Sequence, residues 1–237
     1  MIRVAAVGDV HLGERSAGSL RAGWAALADE ADVFLVAGDL TRHGTAAEGR
    51  VAAGELASLG LPVIAVLGNH DHHGGAADVI SAALVEAGVR VLEGNAEVVE
   101  VGGATLGVAG VKGFGGGFTG ATGSEFGEQV MKDFIAYSRA ESRRLDEALC
   151  SLRVAAKVVL THYAPVTGTL VGERRELYPF LGSSYLEQVI DRHGALLAVH
   201  GHAHYGTEEG RTAGGVPVRN VAHHVIRRPY AVYSVDA

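Results

Sequence analysis

Residues Val63 to His72 read VIAVLGNHDH, and the folding of this stretch decides how the rest of the chain is read. Five apolar residues, Val63 to Leu67, run into Gly68 without alternation, the pattern of a strand buried on both faces. Gly68 permits a sharp turn where the strand ends. Asn69, His70 and Asp71 then sit together at the carboxyl end of a strand, where open α/β sheets place their ligands. The arrangement recurs four times. Ile2 to Val7 leads into Asp9 and His11, and Val33 to Ala37 into Asp39. Lys157 to Leu160 leads into His162, and Ala195 to Val199 into His202 and His204.

Between these strands the sequence predicts helices at Ser19 to Glu30, with Leu20, Trp24 and Leu27 at helical spacing, and at Ala76 to Ala87. Thr45 with Glu48 three residues on is a capping box for a helix reaching about Ser58, which Gly60 and Pro62 close. Strand–helix alternation up to Gly88 implies parallel strands with right-handed crossovers. The short runs Val89 to Leu92, Glu97 to Val101 and Thr105 to Ala109 then read as an antiparallel meander. Gly113 to Gly127, GFGGGFTGATGSEFG, reads as a loose connection or a flap carrying Phe114 and Phe118. Ser124 to Leu152 and Ser184 to His193 read as helices, and Val216 to Ala222 and Tyr230 to Val235 as closing strands.

Composition sets limits on function. The 237 residues are 48% hydrophobic and 20% charged, as in ordinary globular proteins, and no Pro- or Ser-rich linker divides them. The expectation is one domain spanning 1–237. No apolar run approaches the ~20 residues that cross a bilayer, and MIRVAAVGDVH does not match a signal peptide, so a cytoplasmic protein is expected. The single cysteine, Cys150, excludes an internal disulfide framework and a thiolate cluster. A net charge of −7 without a basic block argues against a nucleic-acid-binding domain, and a nuclease reading lacks the basic groove it needs. Twelve histidines are the compositional oddity.

If the five strands lie side by side and parallel, Asp9, His11, Asp39, Asn69, His70, His162, His202 and His204 converge on one edge. Carboxylates, an amide and neutral imidazoles are ligands for Mn, Fe or Zn, and so many suit two ions bridged by one carboxylate. Asp39, alone at its strand end, is the natural bridge. In this order and spacing, Asp9-x-His11, Gly38-Asp39, Gly68-Asn69-His70-Asp71, His162 and Gly201-His202-x-His204 resemble the calcineurin-like metallophosphoesterase superfamily.

The resemblance implies an α/β fold: a four-layer αββα sandwich of two mixed sheets flanked by helices, with a dinuclear site at the strand ends. It implies that Asp9, His11, Asp39 and His204 hold one ion, and that Asp39, Asn69, His162 and His202 hold the other. The ions are divalent or mixed-valence. His70 is left free to assist the leaving group after in-line attack by a metal-bridging hydroxide. One departure bears on the substrate. Where the protein-phosphatase branch reads Gly-Asp-x-x-Asp-Arg-Gly, this chain has Gly38-Asp39-Leu40-Thr41-Arg42-His43-Gly44, so the carboxylate that orients the catalytic histidine there is replaced by Arg42. That favours the phosphodiesterase-like branch and a small phosphorylated substrate, with a phosphomonoesterase or a non-catalytic scaffold as alternatives.

His43, His72, His73, Tyr163 and Tyr205 adjoin the motifs and are either substrate contacts or solvated loop residues. Arg174 and Arg175 read as a solvated pair, His193 and His200 as structural, and His223 and His224 as unassigned residues after a late strand.

Overall fold

The apolar runs become strands covered on both faces. The computed structural model describes residues 1–236. The first part of the chain forms β1 (Ile2–Val7), α1 (Leu27–Glu30), β2 (Val33–Ala37), α2 (Ala46–Leu56), β3 (Val63–Val66), α3 (Asn69–His73), α4 (Ala77–Glu86) and β4 (Arg90–Val91). The middle forms β5 (Asn95–Val101), β6 (Ala104–Val111), β7 (Gly117–Phe118), β8 (Ala121–Thr122), α5 (Gln129–Ser151) and β9 (Ala156–Thr161). The remainder forms α6 (Tyr178–Leu181), α7 (Ser184–His193), β10 (Leu197–His200), β11 (Glu209–Arg211), β12 (Pro217–Asn220), α8 (His223–Ile226) and β13 (Ala231–Val235).

The five ligand-bearing strands are divided between two sheets rather than lying side by side in one. The first sheet has the order β13-β1-β2-β3-β4 and the second β11-β12-β10-β9-β6-β5. In the first, β1 to β4 are parallel and β13 closes the edge antiparallel, pairing Ile2 with Val235. In the second, β12, β10, β9 and β6 are parallel, with β11 and β5 antiparallel at the edges.

Pleating explains why the strands read as unbroken apolar runs: alternate side chains face opposite layers, and both layers are dry. Val33, Leu35, Ile64 and Val66 point between the sheets, against Leu106, Val108, Val158, Leu160 and Val199. Phe34, Val36, Val63 and Ala65 face outward under Leu56, Ile80 and Leu84 of α2 and α4. On the far side, Val111, Val159 and Val218 pack under Leu145 and Leu149 of α5 and Leu186 and Ile190 of α7. The result is the expected α/β sandwich of four layers.

Local signals account for most boundaries. Thr45 caps α2 by accepting from the Glu48 N–H (3.2 Å), and the Glu48 carboxylate turns back to the Thr45 and His43 N–H groups. Ser183 caps α7 through the Tyr185 N–H, and Gly194 ends that helix in the left-handed conformation. Along α5 the buried residues Ile135, Ser138, Glu141, Ser142, Leu145, Ala148 and Leu149 recur at helical spacing.

Three expectations are corrected. The helix expected from Ser19 to Glu30 is mostly turns, with only Leu27–Glu30 helical. Trp24 and Leu27 are buried as the spacing required, but the Glu55 carboxylate accepts from the Gly18 and Leu20 N–H groups and holds the segment open, and Gly23 packs on Pro229. Gly18 and Gly23 also weaken any helix there. The Val89–Leu92 run is not part of the meander: Arg90–Val91 extends the first sheet parallel to β3, so only β5 and β6 form the antiparallel hairpin. Within the Gly113–Gly127 connection β7 and β8 pair. Helix α5 accordingly starts at Gln129, not Ser124.

Thr45→Ala removes the capping interaction and leaves the Glu48 N–H without that acceptor. The expected loss is about 1 kcal/mol, seen as a lower urea midpoint at unchanged slope; an unaltered midpoint refutes this reading of the cap.

Candidate metal centre

The carboxyl ends of β1, β2 and β3 from one sheet meet those of β9 and β10 from the other. At this seam the backbone leaves the common conformations. Asp9 (φ 58°), His11 (44°), Asp39 (51°) and His202 (70°) are left-handed, and among the described residues only Ser58 and Arg227 are other non-glycine residues with positive φ. Such conformations cost energy and persist where the surroundings over-determine them. Here the turns brace one another. The Asp9 N–H donates to Gly38 O (2.9 Å), the His11 N–H to Asp39 O (3.0 Å) and the Gly201 N–H to His162 O (3.1 Å).

Two glycines give the carboxylates room. A Cβ on Gly68 would collide with Asp39 Oδ1, and one on Gly201 with Asp9 Oδ2. The glycines of the Gly-Asn-His and Gly-His-x-His motifs are therefore required by close approach, not by φ.

All eight residues singled out from the sequence lie at this seam. Asp9, His11, Asp39 and His204 each offer an atom within 4.8 Å of the others, and so do Asp39, His162 and His202. Asp39 belongs to both groups. Asn69 joins the second, with its Oδ1 2.8 Å from His162 Nε2. His70 stands at the open side, Nε2 4.0 Å from Asp39 Oδ2, its ring edge-on to His11 at 4.5 Å. Asp9, Asp39 and His162 are buried.

The charges do not balance among the protein atoms alone. Burial, together with the Asp9 and Asp71 charges, pushes the Asp39 carboxyl up to about 9. At Asp9 burial acts upward too, but the hydrogen bonds from His204 and from the His202 N–H bring it down to about 2. Burial holds His11 and His202 at about 4 and His162 far below its usual value, so these rings are neutral, the form that ligates metals. His162 donates its Nδ1–H to Ala37 O (2.8 Å), leaving a bare lone pair on Nε2. That lone pair faces Asn69 Oδ1 at 2.8 Å and Asp39 Oδ1 at 3.4 Å, acceptor against acceptor. His11 Nε2 lies 3.4 Å from His204 Nε2, whose own proton goes to Asp9 Oδ1 (2.8 Å). A cation resolves the repulsion at His162, and the donor set fits one.

The family model for calcineurin-like phosphoesterases matches residues 2–206. The chain belongs to that family. No curated protein sequence matches it. Among solved structures it is similar to a phosphopantetheinyl hydrolase of Mycobacterium tuberculosis, at 17% identity over 98% of this chain and 96% of that one, TM-score 0.70. It is similar to TT1561 of Thermus thermophilus, at 19% identity over 99% of both chains, TM-score 0.61. A putative 5'-nucleotidase from Staphylococcus aureus is matched at 17% identity over 99% of this chain and 51% of that one, TM-score 0.58. These likenesses are of fold. The family is metal-dependent, and the two Asp/His groupings of this phosphoesterase are groups that can hold metal.

Residues around the seam show how this phosphoesterase departs from the protein-phosphatase pattern. His70 donates its Nδ1–H to the backbone carbonyl of Arg42 (2.7 Å). The position where that branch carries an orienting carboxylate thus supplies a main-chain acceptor instead. The hydrogen bonds of Asp71 go to the backbone and to Thr41: it accepts from the Gly68 N–H (2.8 Å), the Thr41 N–H and Oγ1–H (2.8 and 2.6 Å) and the Leu40 N–H, tying the turn after β2 to the turn after β3.

Two residues at the site carried no sequence signal strong enough to place them. His224, on α8, stacks flat on His204 at 4.6 Å. Lys112 follows β6, which carries no ligand, and its side chain lies beside Tyr163. His200 is buried against Thr169, as its structural reading required, and Tyr205 and the Arg174–Glu176 pair are exposed outside the seam. A third grouping, Asp146, Cys150 and His193, lies on α5 and α7, with Asp146 already paired to Arg192 (2.8 Å). No helix among the described residues is long and apolar enough to cross a membrane.

The Asp39 shift has a definite sign in the metal-free protein. The folded state keeps the proton up to about pH 9, whereas the unfolded carboxyl, at 3.8, has released it, so stability falls as pH rises between those values. The neutral imidazoles act oppositely, but only below their unfolded value of 6.5. Between neutrality and pH 9, urea unfolding with chelator present is expected to show stability of the wild type falling by up to about 1.4 kcal/mol per pH unit relative to Asp39→Asn. Parallel curves for the two proteins refute the shift.

Proposed function

We propose that the chain is a dinuclear-metal hydrolase of phosphodiesters, acting as one domain over residues 1–237. In this reading Asp9, His11, Asp39 and His204 hold one ion, and Asp39, Asn69, His162 and His202 hold the other. The ions are Mn, Fe or Zn, whose preferences the carboxylate, amide and imidazole donors match. The observation that carries the diester reading is a pair of hollows meeting at Asn69. One, of about 300 Å³, is lined by Arg42, His43, Asn69, His70 and His73. The other, of about 330 Å³, is lined by Asn69, His72, Lys112, Phe114, Tyr137 and Tyr163. A monoester carries one substituent on phosphorus and a diester two, and the hollows offer a place for each.

When bound, the metal pair supplies positive charge for the phosphoryl oxygens and lowers the pKa of a nearby water. The protein's own residues do the rest. The Asp39 carboxylate, fixed by the His70 N–H (2.8 Å) and by its strained turn, lies between the two groupings and sets their spacing. His70, its Nδ1–H held by Arg42 O, turns Nε2 toward the open face. From there the imidazolium gives its Nε2 proton to the departing alkoxide in the Arg42–His73 hollow, leaving the neutral ring with Nδ1–H still bonded. Arg42 adds positive charge where the anionic ester enters.

Protein loaded with Mn²⁺ is expected to hydrolyse bis-p-nitrophenyl phosphate faster than p-nitrophenyl phosphate in steady-state assays. His70→Ala is expected to lower kcat by about 10²-fold or more on a diester with an alkyl leaving group, and by less on the aryl diester, whose leaving group needs no proton. Preference for the monoester overturns the diester assignment. Inactivity with Mn, Fe, Zn and Ni each supplied overturns catalysis altogether and leaves the scaffold.

A further inference from the structure

The hollow opposite His70 has an unusual wall. The Lys112 ammonium sits 5.0, 5.2 and 5.2 Å from the ring centroids of Phe114, Tyr137 and Tyr163. Phe114 meets Tyr137 edge-on at 4.7 Å and leans on Tyr163 at 5.6 Å, so the rings form a continuous wall. An ammonium has three protons to donate. Among the described residues its one hydrogen-bond acceptor is the neighbouring carbonyl, Gly113 O, at 3.0 Å. Glu141, the nearby acid, is committed elsewhere: its Oε2 accepts from the Gly113 N–H (3.0 Å) and its Oε1 from Arg144 (2.9 Å). A partly buried cation therefore faces a hollow of about 330 Å³ with donor capacity left over, and the hollow reaches Asn69 at the seam.

Ring faces hold a cation but do not neutralise it. They also exclude the water that would compete for its protons, which strengthens a bond to an entering anion. Larger hollows of about 470 Å³ exist, such as that between Arg21, Trp24 and Ser58, but that one lies on the helical face of the first sheet, away from the strand ends.

We propose that this hollow is a specificity subsite for a second anionic group, a phosphate or carboxylate on the arm of the substrate that stays with phosphorus, with Lys112 donating to it and Phe114, Tyr137 and Tyr163 as its apolar wall. The proposal rests on the diester reading: the ester bond beside His70 breaks, and the product is a phosphomonoester whose remaining arm carries the second anion. Alkanediol bisphosphates mimic that product, and the matching alkyl monophosphates lack only the second anion.

The test is calorimetric titration of the Mn²⁺-loaded protein with linear alkanediol bisphosphates of increasing chain length and with the matching monophosphates. The wild type is expected to bind the best-fitting bisphosphate about tenfold or more tightly than its monophosphate, the ratio that one charge-assisted hydrogen bond supports. In Lys112→Met, and in Lys112→Gln as a second variant whose folding is checked by its melting curve, the ratio is expected to fall to near unity. A wild type with no preference overturns the subsite whether or not either variant folds. A preference that survives both substitutions overturns the assignment to Lys112. Because the readout is binding, it is separate from the catalytic test: hydrolysis without the preference removes only this subsite, and the preference without hydrolysis removes only the catalytic reading.

Discussion

Two carboxylates, Asp9 and Asp39, are held out of water at the ends of adjacent strands, and much of the structure around them follows from that. Unpaired, a buried carboxylate costs several kcal/mol and takes up a proton instead. The imidazoles around this pair are mostly kept neutral by burial and cannot supply the missing charge. Only His204, hydrogen-bonded to Asp9 at 2.8 Å, is shifted toward its charged form. A site with this balance is stable when cations enter it, so folding free energy and metal affinity are linked in this chain.

The backbone is arranged to bring the carboxylates together. Strands β1 and β2 are parallel neighbours, with Val7 opposite Val36, so their ends emerge side by side. Left-handed turns at Asp9, His11 and Asp39 then direct the side chains inward. The strain at these residues is borne by the rungs between the turns and by Asp71, whose carboxylate gathers donors from Leu40, Thr41 and Gly68. The dry layer between the sheets supplies the rigidity, since Leu35, Ile64, Leu160 and Val199 meet just below the seam. The core fixes where the strands end, and the strand ends fix the site.

Much of this is visible in the sequence, for a physical reason. A strand covered on both faces must be apolar throughout, so the change to polar residues marks its end sharply: β2 spans Val33–Ala37 as expected, and β3 falls within Val63–Leu67. At Gly68 and Gly201, the glycine beside a ligand records the lack of space for a Cβ. What stays hidden depends on contacts distant in the chain. The failure of the Ser19–Glu30 helix is set by Glu55, thirty-five residues beyond Leu20. Partition of the five strands between two sheets is not encoded within any strand. Lys112 looks like a surface lysine until Phe114, Tyr137 and Tyr163 are brought around it.

The orientation of the imidazoles is the least legible feature and the most instructive. His162 is bonded to Ala37 O, His70 to Arg42 O and His202 to Phe180 O (3.3 Å), so each ring is set by a main-chain carbonyl and not by a carboxylate. A motif search sees side chains only, and Arg42 in place of an acidic residue reads as a lost interaction. The structure shows the interaction moved to the backbone of the same residue. Orientation of this kind cannot be removed by a side-chain substitution at Arg42, whereas a change in the path of the turn after β2 would shift His70 and Asp39 together. The path of that turn, braced by Asp71, is therefore the stronger constraint on this side of the site, and the exposed side chain of Arg42 takes no part in it.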